Sequence, residues 1–251
     1  FRSLELACTG QSGVSYSMRA GSTVNPSEVD PVQLYRRLFG TEFRDPNKGE
    51  FTPDPEVMVR QSVLSAVKED RDALMRTRAR GSIVILVTNA PRPHDSVERQ
   101  LDQLHVPREA YDAVVASGDV TRGVIKQRHG QSVFHMGPER DASIFTGLDV
   151  RFAPLESADY VVCSGLDDDD TETPEDYRAR LELMLKRKVF MVCGNPDVVV
   201  ERGDKLVYCA GAIADLYATM GGDVLYAGKP YRPIYDLALA KAEAALGRKA
   251  D

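Results

Sequence analysis

The sequence predicts an α/β protein built on parallel sheet, preceded by a loop-rich segment. Three observations carry that prediction. From Gly81 onward, apolar strand-like runs alternate with amphipathic helical stretches, the pattern of parallel strands joined by right-handed crossovers. Ile83–Val87 is an unbroken apolar, mostly β-branched run, which reads as a strand buried on both faces. The stretch from Phe1 to about Arg76 lacks this texture: Gly10, Gly13, Gly21, Pro26 and Pro31 punctuate a Ser/Thr-rich segment of weak periodicity.

Taken in order, the first segment predicts a short helix over Pro31–Phe39, with Asp30 as cap, Pro31 at its first position and Gly40 as its stop. A longer helix is predicted over Pro55–Thr77, where Val59, Val63, Leu64, Val67, Leu74 and Met75 recur at helical spacing. After strand 83–87 come a helix near Ser96–Leu104, strand Val114–Ala116, and a helix capped by Asp119 and running to about Arg128. Strands Val133–His135 and Tyr160–Cys163 follow. Thr173-Pro174-Glu175-Asp176 then opens a helix, with Pro at the first helical position and an acid three positions after the Thr. Strands Val189–Cys193 and Leu206–Cys209, helix Ala212–Met220 closed by Gly221-Gly222, strand Val224–Ala227 and helix Ile234–Leu246 complete the series.

The 251 residues suffice for one large domain or two smaller ones. Hydrophobic residues at 43% and charged residues at 28% are an ordinary globular composition. A net charge of -6 argues against a nucleic-acid backbone as partner, though not against a small phosphorylated molecule, for which one local lysine can dominate a pocket. No apolar run approaches the roughly 18–20 residues needed to span a bilayer, and no leader peptide is evident, so a cytoplasmic location is the expectation. The chain starts at Phe1 rather than Met, which reads as a processed product or fragment. Cys8, Cys163, Cys193 and Cys209 form no Cys-x-x-Cys pair; the last three sit in or beside apolar runs and read as core packing.

Two short motifs carry chemistry. Thr88 and Asn89 stand at the carboxyl end of the first buried strand, where ligands bind in open α/β sheets. Far downstream, Ala227-Gly228-Lys229-Pro230 sets a lone lysine on a tight Gly/Pro turn. A hydroxyl to orient and an ammonium to neutralise are what a phosphoryl group needs. Taken singly, Thr88-Asn89 also reads as an ordinary strand end closed by turn residues, and Lys229 as a surface lysine.

Together these motifs resemble the second and third motifs of the haloacid dehalogenase-like hydrolases. The resemblance extends over about Arg78–Lys249, to the branch (subfamily IIA) with a large α/β cap inserted between those motifs. It is carried by Val87-Thr88-Asn89-Ala90-Pro91-Arg92-Pro93, Gln100-Leu101-Asp102, Val106-Pro107-Arg108, Ser117-Gly118-Asp119-Val120-Thr121-Arg122 and Gly137-Pro138-Glu139-Arg140-Asp141. Thr171–Tyr177, Asn195-Pro196-Asp197, Val200-Glu201-Arg202-Gly203, Tyr208–Ala212 and Ala227-Gly228-Lys229-Pro230 continue it. The resemblance implies a Rossmann-like three-layer parallel sheet, incomplete here, with an inserted cap. The implied organisation is an unrelated segment 1–76, partial core 77–121, cap 122–215 and partial core 216–251. It further implies a magnesium-dependent phosphoester hydrolase acting on small phosphorylated metabolites. Thr88 and Asn89 would hold the phosphoryl group, Lys229 would neutralise charge on it, and Asn195 and Asp197 would select the leaving group. A homodimer through the cap is implied as well. Within the first segment, Ser3–Leu6, Tyr16–Ser17 and Val29–Gly40 resemble an uncharacterised domain family of exported bacterial proteins, to which no activity is attached.

The chain departs from the family pattern in two places. The nucleophile motif, an apolar strand ending in Asp-x-Asp, is missing upstream of Ile83; Asp70-Arg71-Asp72 follows Lys68-Glu69 in a helical pattern and reads as a solvated helix face. The Gly-Asp motif with its magnesium-binding acidic cluster is also missing after Leu246. The run Asp167–Asp170 could hold a hard cation, yet it precedes a helix whose positive end favours acids, and the structural reading is preferred. His94, His105, His129 and His135 show no ligand spacing. The expectation is therefore a hybrid or fragmentary chain, inactive as a phosphatase. The alternatives are a non-catalytic module that binds a phosphorylated metabolite, or part of an exported protein.

Overall fold

The computed structural model describes residues 5–9, 71–202 and 205–249, with residues 5–9 and Glu201 described by backbone alone. The helix expected over Pro31–Phe39 lies outside the described residues, as does most of that over Pro55–Thr77; residues 71–79 are helical, and Asp72 is exposed on that helix.

Two sheets organise the described chain. The first orders β1 (Glu5–Thr9), β2 (Ile83–Thr88) and β3 (Ala113–Ala116), with β2 central. β2 and β3 are parallel, Thr88 lying beside Ala116. β1 runs antiparallel to β2, Leu6 opposite Leu86, so this sheet is not the purely parallel one expected. The unbroken apolar run of β2 follows from its two buried faces. Val84 and Leu86 pack with Leu74, Val97, Leu101 and Val114, on the side of α1 (His94–Gln103). Ile85 and Val87 pack with Val115, Ile234 and Ala242, on the side of α5 (Arg232–Leu246). Strand alternation sends successive residues to opposite faces, which makes the three-layer arrangement.

The second sheet has five strands in the order β10-β7-β6-β4-β5, all parallel: β4 (Ser132–Met136), β5 (Arg151–Phe152), β6 (Tyr160–Cys163), β7 (Phe190–Cys193) and β10 (Val224–Tyr226). Its faces divide in the same way. Val161, Cys163, Met191 and Cys193 pack with Leu181 and Met184 of α3 (Arg178–Arg187) and Ile213 and Tyr217 of α4 (Ala210–Thr219). Tyr160, Val162 and Val192 pack with Ile144, Phe145 and with Ile125 of α2 (Ser117–Gln127). Pro174–Tyr177 is a 3-10 turn leading directly into α3.

 The antiparallel hairpin β8 (Val199–Arg202) and β9 (Lys205–Tyr208) stands apart from both sheets.

From Ile83 onward the expected strands and helices are present within a residue or two of their bounds, and the α/β, three-layer fold class holds. Three differences have physical reasons. Asp119 is not the cap of α2 but its third residue: the helix starts at Ser117, and the Asp119 carboxylate accepts from Ala116 N (2.8 Å) and His94 N (3.1 Å). β5 and β8 were not expected: Arg151-Phe152 is only two residues long and Val199–Arg202 ends in two charged residues, so neither forms an apolar run. The five-stranded sheet also extends past residue 215, because β10 joins it beside β7.

The chain passes between the two sheets twice, at Ala116–Ser117 and again at Ala227–Tyr231. Both passages lie against the end of β2, and this places the site.

Candidate functional site

β2 ends in buried backbone, so the polar side chains that follow it need partners inside the protein. Thr88 and Asn89 are each 5% exposed. The Thr88 hydroxyl accepts from Ala90 N at 3.2 Å, closing the strand end. Asn89 reaches across to the second passage: its Oδ1 accepts from Lys229 N at 2.7 Å, and its Nδ2 donates to Lys229 O at 3.0 Å. The same Nδ2 donates to Asp197 Oδ1 at 2.9 Å. Asn195, just after β7, accepts from Asp197 N at 3.1 Å and so holds the loop that presents Asp197.

Gly228 makes this approach possible. A Cβ there would lie 2.5 Å from Asn89 Oδ1, 2.5 Å from Ser117 Oγ and 2.7 Å from Pro196 Cδ. Three separate chain segments therefore meet at one glycine, with no room for a side chain. The Ser117 hydroxyl at this junction is buried and makes no hydrogen bond among the described residues.

Thr88, Asn89, Asn195 and Asp197 line one cleft. The structure thus brings these four sequence-predicted residues together. Lys229 is buried beside them and tied to Asn89 through its backbone, but it is not part of the cleft lining. The cleft is also lined by Asp169 of the acidic run and by Arg140, Ser164 and Arg202, to which the sequence reading attached no role. Ser164 Oγ lies 2.9 Å from His135 Nε2. Burial pushes the His135 imidazole below its ordinary value, outweighing the opposite pull of the Asp167 carboxylate. The ordering signal for this pair is the placement of each at the end of a parallel strand, β4 for His135 and just after β6 for Ser164.

The acidic run is engaged with protein groups. Asp167 accepts from Arg180 Nη1 (2.7 Å) and Gly137 N (3.2 Å), and Asp168 from Thr171 Oγ1 (2.8 Å) and Asp170 N (3.0 Å). Asp169 is shared by Arg140 and Arg202. Cys163, Cys193 and Cys209 are buried and unbridged, as core packing requires; burial pushes the Cys163 thiol up to about 12. The side chain of Cys8 lies outside the described residues. Among the described residues no helix is long and apolar enough to cross a membrane.

Comparison with known proteins now gives this geometry a family. The model of the haloacid dehalogenase-like hydrolases matches residues 60–151, which include β2, Thr88 and Asn89. A hydrolase of the haloacid dehalogenase-like family from Brucella suis is 50% identical, with a TM-score of 0.67, over 72% of this chain and 66% of that one. A single mutant of a thermostable NPPase from Geobacillus stearothermophilus is 20% identical, with a TM-score of 0.50, over 63% of this chain and 62% of that one; it shares the fold. The chain thus spans about two thirds or less of the length of these solved relatives. No curated protein matches it. Over residues 60–151, the part that the family model matches, the chain belongs to the haloacid dehalogenase-like hydrolases.

Proposed function

We propose that this chain is a phosphatase homologue whose cleft binds the phosphoryl group of a small phosphorylated metabolite, and that the chain alone does not turn the ester over. In this reading Thr88 orients the phosphoryl oxygens, Asn89 contributes by clamping the Lys229 turn beside them, and Lys229 neutralises their charge. Asn195 and Asp197 contact the leaving group. The observation that carries the reading is the two-way hydrogen bonding of Asn89 with the Lys229 backbone, which joins the two motifs beside one cleft.

Turnover in this family needs a carboxylate nucleophile on a strand beside β2. β1 occupies that flank here, and Glu5-Leu6-Ala7-Cys8-Thr9 carries no Asp-x-Asp. Without a nucleophile no phospho-enzyme forms. A divalent metal is typical of haloacid dehalogenase-like hydrolases. Among the described residues the carboxylates close enough to share a cation are Asp168, Asp169 and Asp170. These are committed to Arg140, Arg202 and Thr171, which does not fit a magnesium site serving Thr88. The domain organisation is carried in the same proposal: a segment over 1–76, core pieces at 77–121 and 216–251, the latter lending β10 to the sheet of the cap between them, in a cytoplasmic protein that pairs through the cap.

The test is a magnesium-supplemented assay with 4-nitrophenyl phosphate and glycerol 3-phosphate, run beside binding titrations of the same esters. Binding without turnover is expected. Magnesium-dependent turnover abolished by Lys229→Ala would replace this reading with an active phosphatase.

A further inference from the structure

The cleft is also lined by charges that the phosphoryl reading does not use. Arg140 and Arg202 come from segments far apart in the chain, yet both guanidinium groups hold the carboxylate of Asp169. The Asp169 side chain is only 11% exposed, whereas those of Arg140 and Arg202 are 50% and 43% exposed. One buried carboxylate therefore anchors two arginines whose outer edges face water. Burial by itself would raise the Asp169 carboxyl, but the hydrogen bonds from Arg202 and Arg140 outweigh it and hold it below its ordinary value.

The donor count favours a ligand. Arg202 spends Nη1 and Nη2 on Asp169, with Nη1 also 3.2 Å from Asp170, while Arg140 spends Nη2 alone. Each guanidinium has five N–H donors in a planar fork suited to carboxylate and phosphate oxygens. Nε and Nη1 of Arg140 and Nε of Arg202 make no hydrogen bond to any described residue. The cleft's other acids do not compete for them: Asp197 is held by Asn89, and Asp141 is 4% exposed and already partnered. Asp170 touches Arg202 from the solvent side, where screening makes an ion pair weak and exchangeable.

We propose that Arg140 and Arg202, fixed by Asp169, form a second anion subsite, so that the metabolite bound here carries a carboxylate or a second phosphoryl group besides the one held at Thr88. This rests on the phosphoryl reading of Thr88, Asn89 and Lys229. Asp169 acts as the positioning residue, since it sets both forks before the ligand arrives and so lowers the ordering cost of binding.

Calorimetric titration of the full chain with two ligand pairs tests it. In each pair only the second anion differs: 3-phosphoglycerate against glycerol 3-phosphate, and fructose 1,6-bisphosphate against fructose 6-phosphate. The expected result is a preference of about tenfold or more for the dianchored member of at least one pair, the size of one added charge-assisted contact. The first pair identifies a carboxylate, the second a phosphoryl group. Arg140→Gln should remove most of that preference while leaving the affinity for glycerol 3-phosphate in place. Because Arg202 still holds Asp169 in that variant, its fold is preserved; adding Arg202→Gln together with Asp169→Asn removes both arginines without stranding a buried acid. Equal affinities within both pairs, or a preference that survives these substitutions while Thr88→Val still weakens every ester, would overturn the subsite and leave the phosphoryl site standing. No binding of any of the four esters would overturn both.

Discussion

The side-chain amide of Asn89 and the backbone of Lys229 pair in both directions, Oδ1 accepting from Lys229 N at 2.7 Å and Nδ2 donating to Lys229 O at 3.0 Å. An amide at this position mimics a short stretch of strand, extending the β2 end to a turn 140 residues away. Asn89→Ala should therefore leave buried backbone groups of Lys229 without partners, and a loss of about 2–4 kcal/mol of stability is expected. Urea unfolding with an unchanged m-value measures it; a loss within experimental error would show that the clamp is dispensable.

Gly228 sits inside the same clamp. Gly228→Ala would put a methyl group 2.5 Å from both Asn89 Oδ1 and Ser117 Oγ, two atoms on separate segments. The expected cost is about 1–3 kcal/mol, with weaker phosphate-ester binding, since the turn must shift to admit the methyl group. Combined with Asn89→Ala, the two effects should be less than additive, because the first substitution removes the atom with which the second collides. Strict additivity in a double-mutant cycle would contradict this contact.

His135 supplies a pH dependence. Burial lowers its folded-state value below the ordinary one of about 6.5, so at mildly acidic pH the unfolded chain binds a proton that the folded chain resists. The contribution is fully present above the unfolded value and is lost as pH falls beneath it. Stability should thus decline between about pH 7 and 5, a range above the ordinary carboxylate values, and His135→Gln should flatten that decline. An equal slope in the variant would assign the decline elsewhere.

Much of this was legible in the sequence because it depends on local pattern. The β2 run announced a strand buried on both faces, and its clusters with α1 and α5 account for every apolar position in it. Thr88 and Asn89 were readable as its end, and Lys229 as the residue after a glycine that nothing else could replace. The arginine wall was not readable. Asp169 looked like one member of an acidic run at the start of a helix, since its partners Arg140 and Arg202 lie 29 and 33 residues away and meet it through tertiary pairing. The Ser164–His135 contact was hidden for the same reason, being set by the register of β4 against β6, in which His135 lies beside Val162. β1 was obscured differently: it flanks β2 antiparallel, which an alternating parallel pattern does not anticipate.

The most direct measurement is the affinity of glycerol 3-phosphate for the intact chain and for Thr88→Val and Lys229→Gln, with Lys126→Gln, an exposed lysine on α2, as control. If the β2 end and the Gly228-Lys229 turn form one phosphoryl site, both site variants should weaken binding by about tenfold or more while remaining folded, and the control should not. Binding that is absent from the intact chain, or unchanged in both site variants, would contradict the account.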